Sequence, residues 1–322
     1  MTDVKKICGG RFLVVGRAGM DFYAAPPGIR LEDGTNFVAA LGGSAANIAV
    51  ALQRLGMIST LMTAVSDDAI GRWCIARLNE FGVSTKHVRV VGGEARNSLA
   101  VGETCLEGYQ CVIYRNGAAD FQMTALDVDL INFNEFSAAI VTGTALALEP
   151  SRSAVFRIFE RAKATKIPLI LDLDYRPYSW ESKELAQKIY SQAAQMCDIV
   201  VGNDDEFAVM VGNKKDGLST ARELAATSAA IVVYKKGEAG AVTFQDGIEY
   251  QTGIYRVQAL KPVGAGDAFM GGFIAGLATG RSTRESVMRG SAAAAIVVSS
   301  VGCSRAMPTT AQLNSFLDSF HG

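Results

Sequence analysis

The stretch Leu260-Lys261-Pro262-Val263-Gly264-Ala265-Gly266-Asp267-Ala268-Phe269 places three small residues and one carboxylate where a loop enters a helix. Beyond it, Phe269, Phe273 and Leu277 fall four residues apart, as do Met270 and Ile274, and this period predicts a buried helix whose first turn begins near Gly264. The first N–H groups of a helix lack internal acceptors and carry the positive end of the macrodipole, so phosphate is stabilised there. A side chain at Gly264 or Gly266 would hold the anion off those donors. Asp267, one step into the helix, faces the same spot. Its carboxylate can take the proton of an attacking hydroxyl while the amides of Gly264, Ala265 and Gly266 stabilise charge on a transferring group. The same residues also suit a plainer role, an acid complementing the helix dipole behind glycines that ease packing.

Outward from this loop, apolar runs of strand length alternate with helix-period segments. Residues 12–16, 59–65, 138–143, 168–174, 198–202 and 230–234 read as strands, while 44–55 and 151–162 carry helical stripes, the first through Ile48, Ala51, Leu52 and Leu55. This rhythm predicts an α/β fold, a mostly parallel central sheet flanked by helices on both faces, as a single domain over residues 1–322. Ligands of such sheets bind beyond the carboxyl ends of the strands, where this chain has Asp172 and Asp174, Asn203, and Lys235 with Lys236. Two segments, roughly 18–41 and 96–120, break the rhythm. The second alternates about Glu107-Gly108-Tyr109, so that Leu99 and Val101 would meet Cys111 and Ile113 in a hairpin. Together they predict a small β-sheet lid that closes over the ligand edge and excludes competing water.

At 322 residues and 49% hydrophobic content the chain can bury a large core. Its 31 basic and 32 acidic residues leave a net charge of -1 with no basic block, so no nucleic-acid partner is expected. The longest apolar runs, such as 292–298, fall well short of the ~20 residues of a membrane span, and no secretory signal is visible. A cytoplasmic protein with no membrane partner is expected. Six dispersed cysteines without C-x-x-C spacing argue against zinc and against a disulfide framework, although Cys105 and Cys111 could face each other in the hairpin. With only His87 and His321, histidine-based nucleophilic mechanisms have little material, and a carboxylate is the expected general base.

Leu41-Gly42-Gly43-Ser44-Ala45-Ala46-Asn47 leads into the first helix. Asn47 lies on the flank of its apolar stripe and could bind a polyol hydroxyl, with Gly42 and Gly43 admitting substrate against the backbone; a glycine turn with a structural Asn fits equally. Asp21 could accept hydroxyl protons or mark a lid hinge. Arg176, after the strand 168–174, and Arg115, at the end of the lid hairpin, are candidate clamps for a carboxylate or phosphate. Asn203 and Glu206 could orient nucleotide phosphates, Glu206 holding Mg²⁺ through water, or could form a helix cap. Lys235 and Gly237, past the strand 230–234, are further candidate nucleotide contacts.

Together these features resemble the ribokinase-like (PfkB) family of carbohydrate kinases, over nearly the whole chain. The family's glycine-rich signature matches Gly42-Gly43 with Asn47, its N-x-x-E motif matches Asn203 and Glu206, and its G-A-G-D matches Gly264 to Asp267. The resemblance implies a ribokinase-like fold with a β lid, ATP with Mg²⁺, and Asp267 as base for a primary hydroxyl. It also implies substrate contacts from Asp21, Gly43 and Asn47. An open lid edge could pair with a second copy, as a homodimer. Where the family has an Asp-Thr pair ahead of G-A-G-D, this chain has Lys261-Pro262-Val263, so K⁺ dependence is not implied. That replacement, with Gly143-Thr144-Ala145-Leu146-Ala147, Pro150-Ser151-Arg152 and segments 172–177 and 299–308, is similar to one branch of the family. This branch phosphorylates the C6 hydroxyl of 5-dehydro-2-deoxy-D-gluconate in myo-inositol catabolism. Kinases of 2-keto-3-deoxygluconate and of fructose are the alternatives, and an acid substrate suits the two arginines. Outside the family, Gly16-Arg17-Ala18-Gly19 after a strand suggests a dinucleotide-binding oxidoreductase with an incomplete G-x-G-x-x-G, and a non-catalytic sugar-acid sensor is the other reading.

Overall fold

The computed structural model describes residues 4–105, 108–212, 216–261 and 263–320, so that Glu107, Pro262 and His321 lie outside the described residues. In chain order the strands are β1 (Arg11–Val15), β2 (Gly19–Ala25), β3 (Asn36–Gly42), β4 (Ile58–Ser66), β5 (Ser84–Val91), β6 (Leu99–Gly102) and β7 (Cys111–Tyr114). They continue with β8 (Ala138–Thr142), β9 (Leu169–Asp172), β10 (Ile199–Asn203), β11 (Ile231–Lys235), β12 (Ala241–Gln245) and β13 (Ile248–Thr252). Nine of them form one sheet in the order β13-β12-β11-β10-β9-β8-β1-β4-β5, parallel from β5 to β11, with β12 and β13 added antiparallel.

The interior strands are apolar on both sides because helices cover both faces. Leu13, Val15, Val141, Leu171 and Val200 pack on one side with Val155, Ile158 and Phe159 of the helix Ser151–Thr165. Phe12, Val14, Ile140, Ile170 and Val201 pack on the other with Ile48 and Leu52 of the helix Ser44–Arg54 and with Phe273 and Ile274 of the helix Ala265–Ala278. That last helix is apolar all round because it lies between neighbours instead of on the surface. Its Gly271 faces Ala51 so closely that an added methyl would collide with the Ala51 side chain. Burying Phe273 and Ile274 contributes roughly 1.5–3 kcal/mol each. Among the described residues no helix is long and apolar enough to cross a membrane.

Topology then locates the cleft. From β1 the chain runs outward to β4 and β5, then returns to place β8 on the other side of β1, so the strand order reverses between β1 and β8. Ligands bind beyond the strand ends at such a switch point. The strands β2 and β3 follow β1 directly, and β6 and β7 are inserted before β8, so both excursions leave the sheet beside that point. They join as a separate four-stranded sheet, β3-β2-β6-β7, which is the lid expected from segments 18–41 and 96–120.

Two local expectations need correction. In the lid hairpin Leu99 pairs with Tyr114 and Val101 with Val112, so Leu99 and Val101 lie on the opposite face from Cys111 and Ile113. The connecting loop, closed by the Glu103 N–H donating to the Gln110 carbonyl at 3.1 Å, sets a register one residue away from the expected one, and a one-residue slip exchanges the faces. Cys105 and Cys111 are not joined by a disulfide. The strand expected over 168–174 ends at Asp172, and Asp174 turns away with φ 36°, a left-handed conformation that Asp tolerates better than most side chains.

Candidate active site

A single cavity of about 980 Å³ runs along the carboxyl ends of β1 and β8 to β11, with the lid at one end and Thr252, Gly253 and Tyr255 at the other. Asp21, Gly43, Asn47, Arg115, Arg176, Asn203, Glu206, Lys235, Gly237, Gly264, Ala265, Gly266 and Asp267 all line it. Gly42 stands behind this wall, against Asp21.

The cradle forms as its residue types require. Gly264 caps the helix Ala265–Ala278 with φ 86°, a left-handed conformation open to glycine at little cost. This turns the free N–H groups of the first helical turn toward the cavity wall that the residues share. Asp267 sits in that turn, and the Asn47 Nδ2 donates to its Oδ2 at 2.8 Å. The Asn47 Oδ1 in turn accepts from the Ser304 hydroxyl at 2.6 Å, which also lies 3.0 Å from the Leu41 carbonyl. Asn47 is thus a bracket for Asp267. Burial pushes the Asp267 carboxyl up to about 7, with Asp174 adding to the rise while the Asn47 hydrogen bond, Arg176 and Lys235 oppose it. A base titrating near neutrality combines proton affinity with availability.

Around Asp267 stand further acids. Burial raises Asp172 well above the usual carboxylate range and raises Glu206, and the Lys235 ammonium opposes both rises. Asp174 accepts from the Ser44 hydroxyl at 2.5 Å and pairs with Arg176 at 2.8 Å. Arg176 remains half-exposed, with donors to spare. Asn203 and Glu206 form a reciprocal capping box: the Asn203 Oδ1 accepts from the Glu206 N–H at 2.9 Å, and the Glu206 Oε2 accepts from the Asn203 N–H at 2.7 Å. The helix-cap reading of this pair therefore holds, and it also fixes both side chains at the cavity edge. Among the described residues no group of three or more His, Cys, Asp or Glu could hold a metal ion.

At the lid end Asp21 lies in the middle of β2. Its Oδ2 accepts from the Tyr23 hydroxyl at 3.3 Å and Arg17 lies 3.9 Å from Oδ1, which makes no hydrogen bond. A buried carboxylate oxygen without a donor is built to receive one from a ligand. Arg115 differs from its expected role. Its guanidinium is buried against Asp120 through two N–H groups, donates to the Thr144 carbonyl at 3.2 Å and lies over the Phe121 ring. Its charge is already neutralised, which leaves Arg176 as the freer of the two clamps. Tyr23 and Ser304 were not expected at the site, because their partners Cys303 and Asn47 lie far away along the chain.

A helix N-terminus at the cavity wall, a carboxylate braced in its first turn and a buried carboxylate oxygen without a donor are features that suit phosphoryl transfer to a small hydroxylated molecule. Residues 11–310 match the pfkB family carbohydrate kinases, and the chain belongs to that family. It is 38% identical over 312 residues to a 5-dehydro-2-deoxygluconokinase of Photobacterium profundum, covering 95% of this chain and 94% of that one. Among solved structures it resembles a PfkB protein from Polaromonas sp. JS666, with TM-score 0.82, 25% identity and coverage of 95% and 99%. A fructokinase with bound ATP from Xylella fastidiosa shares the fold with TM-score 0.86 at 22% identity, covering 97% of this chain and 99% of that one.

Proposed function

We propose that this carbohydrate kinase transfers the γ-phosphoryl group of ATP to the C6 hydroxyl of 5-dehydro-2-deoxy-D-gluconate, a step of myo-inositol catabolism in the cytoplasm. The observation that carries the kinase chemistry is Asp267, hydrogen-bonded to Asn47 within the cradle turn. The named relative supports the substrate, and so does Arg176, a half-exposed guanidinium suited to a sugar acid's carboxylate.

In this reading the sugar acid lies at the lid end, with its hydroxyls on Asp21, and the nucleotide lies along Asn203, Lys235 and Gly237. Asp267 removes the proton of the C6 hydroxyl as its oxygen bonds to the γ-phosphorus. The bond from that phosphorus to the β–γ bridging oxygen breaks, ADP leaves, and the amides of Gly264, Ala265 and Gly266 stabilise charge on the group in flight. Positioning supplies most of the acceleration. Mg²⁺, held through water by Glu206, would offset phosphate charge; the cap occupies the Glu206 Oε2 and the residue borders the cavity. The outward lid face exposes Phe37, Val112 and Tyr114, a surface that a second copy could cover; light scattering of the purified protein would reveal the dimer, and a monomer at micromolar concentration would remove it.

The test is a phosphotransfer panel with ATP and Mg²⁺ over 5-dehydro-2-deoxygluconate, 2-keto-3-deoxygluconate, fructose and other hexoses. Selective turnover of the first is expected. Preference for another acceptor would reassign the substrate, and binding without turnover of any would indicate a sensor. The Arg176→Ala enzyme should show KM for the sugar acid raised about tenfold or more, with little change for a neutral sugar, since a charged hydrogen bond contributes about 1.5–3 kcal/mol. Equal effects on both would remove the carboxylate clamp.

A further inference from the structure

Lys261 is fully buried, among the largest side chains in the molecule to be so. A buried ammonium is costly unless its charge is used, and among the described residues no carboxylate lies within ion-pair distance of it. Its Nζ instead donates to the Val263 carbonyl at 2.6 Å, across the loop that enters the cradle, and lies 3.9 Å from the Cys303 Sγ. That thiol is 3.0 Å from the Tyr23 hydroxyl, which donates to the Asp21 carboxylate. The next residue, Ser304, brackets Asn47 and through it Asp267. Lys261 also borders the cavity. One ammonium therefore joins the cradle loop to the turn that supports the base and to the acid under the lid.

We propose that Lys261 is the built-in monovalent cation of this phosphoryl-transfer site, a positioning residue that holds the 261–263 loop against the 303–304 turn and offsets negative charge when a phosphate enters. Its charge also reaches groups beyond its contacts: burial raises the Asp21 carboxyl, and Arg17, the Tyr23 hydroxyl and Lys261 oppose that rise, while the titration of Lys261 itself, pulled down by burial, is held up by Cys303 and Asp267. A mobile cation in solution could be exchanged for another; a lysine cannot. Turnover by the native enzyme should therefore be indifferent to which monovalent salt is present.

The inference rests on the kinase reading above, so its test uses nucleotide binding as well as turnover. Wild-type protein and Lys261→Met, which keeps the length of the side chain and removes the charge, are compared by calorimetric titration with a non-hydrolysable ATP analogue and by steady-state kinetics. Each is run in choline, Na⁺, K⁺ and methylammonium chloride at equal ionic strength. The wild type should give the same constants in all four salts. The variant should lose about tenfold or more in kcat/KM for ATP in choline, and K⁺ or methylammonium should restore part of it, as the loss of a charge-assisted contact predicts. A wild-type requirement for K⁺ would overturn the proposal even if the variant does not fold. Unchanged constants in Lys261→Met would also overturn it, as would a loss that no cation relieves in a variant with native circular dichroism. Failure of the wild type to bind the analogue would instead sink the kinase reading itself.

Discussion

Asp267→Asn should leave both substrates bound and slow kcat by about 10² to 10⁴, the contribution typical of a positioned general base. Asn keeps an oxygen that can still accept from the Asn47 Nδ2, so the bracket survives and only the proton acceptor is lost. In the wild type kcat/KM should rise with pH through about 7, following ionisation of Asp267 in the free enzyme. The same substitution should stabilise the protein at alkaline pH. The folded carboxyl titrates near 7 and the unfolded one near its ordinary 3.8, so between those values the folded state holds a proton that the unfolded state releases. Stability contributed by the neutral carboxyl is therefore lost as pH climbs from about 4 through about 7. Asn carries no charge at any pH, so thermal unfolding of Asp267→Asn should occur at higher temperature than the wild type at pH 8, with the gap closing towards pH 5. Near-normal turnover would remove Asp267 from the role of base, and equal unfolding temperatures at pH 8 would remove the account of its burial.

The same burial explains which parts of the fold were legible. Strands β1 and β8 to β11 are covered on both faces, so each appears in the sequence as an apolar run bounded by polar residues, and β4, also buried, appears as one interrupted by Ser59, Thr60 and Thr63. The edge strand β5 carries Lys86 and Arg89 and is only half-buried, and β12 with β13 turns about Asp246-Gly247 at the other margin, where exposed Ile248 and Glu249 dilute the pattern. A strand that meets solvent has no reason to be uniformly apolar. Within the site, residues at strand ends and glycine loops announced themselves locally: Gly264 to Asp267, Asn203 with Glu206, and Asp172 with Asp174. Other parts exist only once the chain is folded. Asn47 was read as a substrate ligand, yet the partner of its amide is Asp267, 220 residues away. Cys303 and Ser304 lie in segment 299–308, whose likeness to one branch of the family carried no hint of their contacts with Tyr23 and Asn47. Arg115 could have been read more closely, because Asp120 lies five residues on in the same lid segment and a buried arginine seeks a carboxylate.

Gly42 tests how the lid delivers its acid. It lies in β3, diagonally across from Asp21 of β2, whose direct partner is Ala40. The backbone at Gly42 is ordinary, since it is absent from the left-handed glycines, so any L residue could adopt it. What it supplies is space: a methyl group there would overlap the Asp21 carboxylate itself. Gly42→Ala should therefore drive that carboxylate from its place beside Tyr23 and lower kcat/KM for the sugar by about 10- to 100-fold, the range expected when a charged hydrogen bond to substrate is lost. The loss should appear mainly in KM, because the cradle and Asp267 are untouched. A double-mutant cycle separates this cause from a general disturbance of the lid. If Gly42→Ala acts through the carboxylate, adding it to Asp21→Ala should cost almost nothing further, since the group it displaces is already gone. Fully additive losses would show that Gly42 serves the lid backbone instead, and would leave Asp21 without the supporting role assigned to this glycine.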